Sequence, residues 1–281
     1  MRLFRGLFDF YINSSIHVAL AVYALTRVTQ LQFGIPYDKA MLYFTFYATI
    51  TGYNFVKYAG VAKFHHRRLT RSLKIIQIFS LISFLLLGYY SWYLEHKTLL
   101  VVCAFGIITF FYAIPFLPKK LMPIDSDNNL RSISGVKIYV IALTWVGVTV
   151  ILPVVNAQRV IDTDVVIEAV QRFIFVLVLM VPFEIRDMAY DNLKLGTIPQ
   201  RIGVKWTKGI ALLLLVLFFL LEFFKDELQS SRPVILTFLV LLLVFFVLKS
   251  KKEQTKYYSS FWVEAIPIAW LAITILFEGY F

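Results

Sequence analysis

The chain alternates between long apolar runs and short polar connections along its whole length. Runs of about 18–20 apolar residues are long enough to cross the hydrocarbon core of a bilayer as helices, whereas barrel strands are about ten residues of alternating pattern. The pattern predicts an all-α, polytopic membrane protein, with residues 1–281 forming a single integral-membrane domain. The nine predicted membrane-spanning helices are 9–28, 38–58, 73–93, 98–117, 134–154, 165–184, 207–224, 233–249 and 260–277.

Composition supports this class and limits the partners. The chain is 59% hydrophobic and 16% charged, whereas soluble domains average about 45–50% and about 25%. Its formal charge of +11 is unevenly distributed, because 21 Lys and Arg residues fall in one alternate set of connections and seven in the other. Since Lys and Arg accumulate in cytoplasmic loops, we predict a cytoplasmic N-terminus, a C-terminus on the opposite side and a basic face towards membrane lipids. Because the basic residues follow the connections in this way, their distribution argues against a nucleic-acid site.

Three carboxylates stand where one apolar run ends, namely Glu184, Asp187 and Asp191. Their spacing of three and four residues places them on one face of a helix, and ionisable groups at membrane depth are usually functional. Mg²⁺ binds through one or two carboxylates together with substrate phosphate oxygens. The spacing alone is equally compatible with a solvated loop at the interface. Basic residues nearby favour a phosphate site: Arg186, Lys194, Arg201, Lys205 and Lys208.

The stretch DMAYDNLKLGTIPQRIG, residues 187–203, resembles the second aspartate-rich motif of the UbiA superfamily of intramembrane prenyltransferases. The matching positions include Asp187, Asp191, Lys194 and the GTIP run, which lacks the spacer usual between its Gly and Thr. The segment FYAIPFLPKK is similar to the Tyr-x-x-Pro-x-x-x-Lys segment that follows the fourth helix of this family. Nine helices with a cytoplasmic N-terminus also agree with the family fold.

The resemblance implies a helical bundle around a central cavity that opens towards the cytoplasm and the lipid. It implies an isoprenyl diphosphate held through Mg²⁺, and transfer of the isoprenyl group to a lipophilic acceptor such as an aromatic quinone precursor. Asp187 and Asp191 would be the catalytic residues, with Glu184 as a further metal ligand. The candidate substrate contacts are Asn54, Lys57, Lys119, Lys120 and Lys194.

The first aspartate-rich motif of the family is missing. With Asn54 as the asparagine of that motif, its three carboxylate positions hold apolar or aromatic residues, and a shift by one residue brings Lys57 into the second of them. No Asp or Glu occurs between Lys39 and Glu95. A two-metal site of the usual kind is therefore not expected, and one Mg²⁺ is favoured over two.

Three hypotheses follow from this loss. Lys57 contacts the diphosphate in an active transferase, or it pairs with Asp187 or Asp191 in a catalytically silent homologue. Such a homologue would bind lipid or serve as a subunit of a membrane complex with a protein partner. In the third hypothesis Asp125 or Asp127 supplies the missing carboxylate. The sequence favours the transferase, with the silent homologue as the alternative.

Overall fold

The computed structural model describes residues 2–58, 71–113, 135–189, 196–227 and 229–278, and all regular structure in these ranges is helical. Two π-helical segments, Gly147–Ile151 and Tyr258–Val263, lead into α7 and towards α11, and a 3₁₀ turn, Leu221–Phe224, extends α9. The helices are α1 (Arg2–Asn13), α2 (Ile16–Gln32), α3 (Lys39–Tyr58), α4 (Arg71–Ser91), α5 (His96–Ala113), α6 (Val136–Val146), α7 (Leu152–Asn156), α8 (Thr163–Asp187), α9 (Ile198–Leu220), α10 (Arg232–Lys249) and α11 (Ile266–Glu278).

Six helical segments are long and apolar enough to cross a membrane. The bent pair formed by α1 and α2 makes a seventh if it is taken as one span. The prediction of an all-helical multi-pass protein is therefore confirmed, whereas the count of nine spans is not. The two other predicted spans coincide with α3, which is interrupted by Thr, Tyr, Asn and Lys, and with α5, whose apolar part, His96–Phe111, is short. The six segments are Leu73–Ser91, Val136–Asn156, Thr163–Asp187, Ile198–Phe224, Arg232–Lys249 and Tyr258–Phe277.

Helix α9 begins nine residues earlier than the predicted position 207, at Ile198. The backbone N–H of Thr197 donates to Gln200 Oε1 over 3.0 Å, and Pro199 occupies the first turn, where a missing N–H costs no hydrogen bond. Gly203, with φ +82°, then interrupts the helix. The GTIP run is thus a helix start, separated by Gly203 from the apolar run that the hydropathy pattern detects.

The first predicted span is broken into α1 and α2, which meet at 54°. Ser15 lies at the break with φ +64°, in the left-handed region that non-glycine residues adopt only when their surroundings hold them there. His17, the second residue of α2, is buried and bonds to Phe261 O over 2.9 Å and to Tyr11 Oη over 2.7 Å. These contacts fix the break against α1 and the π-helical segment before α11.

The largest apolar core joins α2, α6, α8, α9, α10 and α11. At its centre the rings of Phe175, Phe218 and Trp270 contact one another, with centroids 5.0–6.2 Å apart. The outer faces of the bundle are also apolar, for example Leu85 on α4 and Leu213 on α9, which are 64% and 69% exposed. Extensive exposed apolar surface indicates contact with lipid, as expected of a membrane protein.

A buried ion-pair network occupies the end of the bundle near the start of α8. Glu168 pairs with Arg172 over 2.7 Å and with Lys225 over 2.8 Å, and Lys225 also pairs with Glu222 over 2.7 Å. Arg232 lies 3.7 Å from Glu222. Three cations and two carboxylates give this network a formal charge of +1. Arg172 precedes the last residue of α8 by 15 positions, about 22 Å along a helix, so the network is remote from the carboxylates at the far end.

Candidate active site

The site is built on the last turn of α8. Glu184 is buried, with 4% of its surface exposed, and Asp187 is the last helical residue, with 19% of its side chain exposed. Because the two are three residues apart, they lie on one face one turn apart. The apolar run of α8 therefore carries one carboxylate into the bundle and leaves the next at its edge.

Lys137 lies between these two carboxylates. Its Nζ is 3.1 Å from Asp187 Oδ2 and 3.5 Å from Glu184 Oε1. Lys137 belongs to the first turn of α6, which begins directly after Gly135 with φ +76°. The sequence analysis missed this residue as a site candidate. The signal that could have found it is a basic residue in the first turn of a helix that starts on the side where α8 ends.

Arg186 binds the other oxygen of the same carboxylate. Its Nε and Nη2 donate to Asp187 Oδ1 over 3.0 and 2.8 Å, and its guanidinium lies 5.3 Å from the centre of the Phe183 ring. A two-point contact of this kind is stronger and better oriented than a single ammonium bond. Both oxygens of Asp187 thus face a basic side chain, one on each side.

Lys57 does not pair with Asp187, whereas Asp191, the other partner in the pairing hypothesis, lies outside the described residues. Lys57 Nζ donates to Asn13 O over 3.1 Å, and its charge acts on Glu264 at the end of the π-helical segment before α11. Over the described residues no ion pair joins Lys57 to a carboxylate. The ammonium within salt-bridge distance of Asp187 is that of Lys137.

Asn54 is buried where α3 passes the break in the first helix. Its Oδ1 accepts from Ser15 Oγ over 2.8 Å. Its Nδ2 donates to Ser14 O over 3.1 Å and to Ser80 Oγ over 2.8 Å. Each polar atom of the amide is therefore bonded to protein, and these bonds hold the strained backbone of Ser15 and link α3 to α4.

Replacing Asn54 by alanine is expected to lower the free energy of unfolding by about 1–3 kcal/mol, because it leaves buried groups at the helix break without partners. Thermal unfolding of the purified protein in detergent measures this. The matched variant Ser80→Ala removes a single hydrogen bond of the same group, for about 0.5–1.5 kcal/mol. Equal effects of the two substitutions would contradict the assignment of Asn54 to the break.

Of the site residues predicted from the sequence, four are described: Asp187, Glu184, Asn54 and Lys57. The others lie outside the described ranges, namely Asp191, Lys119, Lys120 and Lys194, together with the alternative carboxylates Asp125 and Asp127.

Glu184 and Asp187 are the candidate metal ligands among the described residues. Within the described ranges no group of three or more His, Cys, Asp or Glu side chains could hold a metal ion. Glu184 and Asp187 are hard oxygen donors one turn apart, and Mg²⁺ commonly takes one or two carboxylates and completes its shell with water and phosphate oxygens. These residues therefore fit one such ion together with a phosphate ligand.

The fold and site define a class of protein: a helical membrane bundle with carboxylates and basic side chains gathered at one end of its helices. No protein-family model and no curated protein matches the sequence. Solved structures do match. A UbiA homologue from Archaeoglobus fulgidus bound to GPP and Mg²⁺ has a TM-score of 0.59 and 14% identity, over 96% of this chain and 99% of that one.

Two further solved structures have a similar fold. Another structure of a UbiA homologue from Archaeoglobus fulgidus has a TM-score of 0.57 and 11% identity, over 97% of this chain and 99% of that one. A structure of digeranylgeranylglyceryl phosphate synthase in membranes has a TM-score of 0.56 and 14% identity, over 99% and 97%. The chain therefore has the fold of the UbiA homologues along nearly its whole length.

Proposed function

We propose that the protein is a UbiA-like membrane prenyltransferase that moves an isoprenyl group from its diphosphate to a lipophilic acceptor with Mg²⁺. The observation that carries the proposal is the Glu184–Asp187 pair with Lys137 and Arg186 around it, at the end of α8 in this fold. A structure with the same fold contains GPP and Mg²⁺. An aromatic quinone precursor is the proposed class of acceptor.

In this proposal the carboxylates bind the metal and the basic side chains bind the phosphate groups. Asp187, Glu184 and, by its motif position, Asp191 would hold one Mg²⁺, which when bound supplies positive charge to the leaving diphosphate. Lys137 lies within reach of the same space and would neutralise phosphate oxygens. Further contacts come from four lysines predicted by the sequence: Lys57, Lys119, Lys120 and Lys194.

The lumen protects the reaction. Cleavage of an allylic diphosphate leaves a carbocation-like isoprenyl group that water would capture, and an apolar enclosure excludes water. On α3 and α6, the helices that carry Lys57 and Lys137, Trp145 Nε1 donates to Tyr53 Oη over 2.9 Å. This bond gives the buried indole N–H of Trp145 a partner and joins α3 to α6.

The topology belongs to the same proposal. All nine predicted segments would span the membrane, with the N-terminus in the cytoplasm and the C-terminus on the opposite side. The 21-to-seven asymmetry in Lys and Arg supports this orientation. The carboxylate site would then open to the cytoplasm, and the basic connections would face anionic membrane lipids.

The second candidate function is that of a catalytically silent homologue, which binds lipid or serves a membrane complex through a protein partner. One observation favours it: Asp187 is already neutralised by Lys137 and Arg186. The lack of any carboxylate between Lys39 and Glu95 also favours the silent homologue, because the metal ligands of the first aspartate-rich motif are missing.

Turnover separates the two candidates. The purified full chain in lipid nanodiscs is incubated with geranyl diphosphate, Mg²⁺ and a set of lipophilic aromatic acceptors, and released diphosphate and prenylated product are measured. The transferase gives both products, and both disappear when EDTA is added. Geranyl diphosphate that binds but is never consumed with any acceptor would favour the silent homologue and overturn the transferase.

A further inference from the structure

One ammonium bridges the two carboxylates at the end of α8. Lys137 Nζ lies 3.1 Å from Asp187 Oδ2 and 3.5 Å from Glu184 Oε1. The side chains of Lys137, Asp187 and Glu184 are only 23%, 19% and 5% exposed. A single cation shared by two carboxylates one turn apart occupies the position that the site would offer to a divalent ion.

A metal ion therefore has to compete for Asp187. Arg186 takes Oδ1 through two donors at 2.8 and 3.0 Å, and Lys137 takes Oδ2 through one. The ammonium is the easier of the two partners to displace from Asp187, because it donates one hydrogen bond to this carboxylate from a flexible stem, whereas the guanidinium donates two from a planar fork. Lys137 is thus the side chain that must move before a cation reaches both carboxylates.

A diphosphate supplies the reason for that movement. Its anionic oxygens are good partners for a lysine ammonium, and the four-carbon stem of Lys137 lets the charge shift while α6 stays fixed. The ammonium that leaves Asp187 would then neutralise the diphosphate, and the freed carboxylate oxygens would face the metal. Binding of either ligand thereby favours binding of the other, and such coupling is reciprocal.

We infer that Lys137 is a built-in cation that occupies the metal position at Glu184 and Asp187 until an isoprenyl diphosphate draws it away, so that metal binding depends on the diphosphate. The inference rests on the proposed function. It assigns Lys137 a positioning role and accounts for a site that keeps only one carboxylate motif. At rest, Lys137 and Arg186 together balance the charge of the two carboxylates. When the diphosphate is bound, the metal takes the place of Lys137.

Metal binding without any diphosphate tests the inference. Mn²⁺ binding to the purified full chain is followed by electron paramagnetic resonance of the free ion, in wild type and in Lys137→Met. The variant is expected to bind Mn²⁺ about tenfold more tightly, the lower end of what one neighbouring charge does to the proton affinity of a carboxylate. Lys137→Arg keeps the charge and is expected to bind Mn²⁺ as weakly as wild type.

The control is Lys97→Met, which removes an exposed charge from the first turn of α5 and is expected to leave Mn²⁺ binding unchanged. Equal Mn²⁺ affinity in wild type and Lys137→Met would overturn the inference, even if the protein transfers isoprenyl groups. A second measurement follows geranyl diphosphate binding in the presence of Mg²⁺, which is expected to weaken in Lys137→Met. If wild type binds no geranyl diphosphate, the proposed function fails, and the Mn²⁺ comparison still reports whether Lys137 competes with a metal.

Discussion

Replacing Glu168 by glutamine is expected to lower the free energy of unfolding by about 3–5 kcal/mol, the cost of breaking a buried ion pair from one side. Glu168 bonds to both Arg172 and Lys225, and all three side chains are buried. The substitution keeps the shape of the side chain but leaves three cations facing the single carboxylate of Glu222. Thermal or denaturant unfolding in detergent measures the loss.

The control for this prediction is Glu95→Gln, which removes the same charge from an exposed position between α4 and α5. It is expected to change stability by less than about 0.5 kcal/mol. The double variant Glu168→Gln/Arg172→Met is expected to cost less than the sum of its two single substitutions, because neighbours in one network couple. Additive effects, or equal losses for Glu168→Gln and Glu95→Gln, would contradict a network that stabilises the bundle.

Replacing Asp187 by asparagine is expected to reduce prenyl transfer by about 10²-fold or more, the range found when one preorganised group that stabilises transition-state charge is removed. Asparagine has nearly the same shape but lacks the charge that draws a divalent ion. It also loses the ion pairs with Lys137 and Arg186. Steady-state release of diphosphate at saturating Mg²⁺ measures the effect.

The matched control lies on the same helix. Asp164 is in the first turn of α8 and accepts from the backbone N–H groups of Asp226 and Glu227 over 2.8 and 3.2 Å. Asp164→Asn makes the same chemical change at the opposite end of the helix, where its single amide oxygen keeps one of the two hydrogen bonds. Because this end is remote from Asp187, the variant is expected to leave the rate of transfer within about twofold. A similar loss of activity in both variants would trace the effect to α8 as a whole and contradict a specific role for Asp187.

Much of the fold was predictable because the apolar runs are themselves the membrane-spanning helices. The predicted segments 73–93 and 233–249 agree to within two residues with the segments Leu73–Ser91 and Arg232–Lys249. A helix that faces lipid is apolar over its whole length, whatever packs against it, so the local hydropathy pattern is enough to predict it. The early start of α9 was missed because Thr197 and Pro199 form a polar helix start that hydropathy does not register.

The candidate site was predictable only in part. The spacing of Glu184 and Asp187 placed them on one face before any tertiary contact was known. Lys137 was not identified, because it is 50 residues away from Asp187 and pairs with it only through the packing of α6 on α8. Likewise, the contacts of Asn54 depend on the left-handed conformation of Ser15, which no local propensity predicts. Side chains that meet through packing leave no periodic signal in the sequence.

The most direct test of the account is equilibrium binding of geranyl diphosphate to the purified protein by calorimetry, with Mg²⁺ and with EDTA. One carboxylate pair and one mobile ammonium predict binding of one diphosphate that requires Mg²⁺ and that is lost in Asp187→Asn. Binding that is unchanged by EDTA, or absent in Mg²⁺, would contradict a metal-assisted diphosphate site at Glu184 and Asp187.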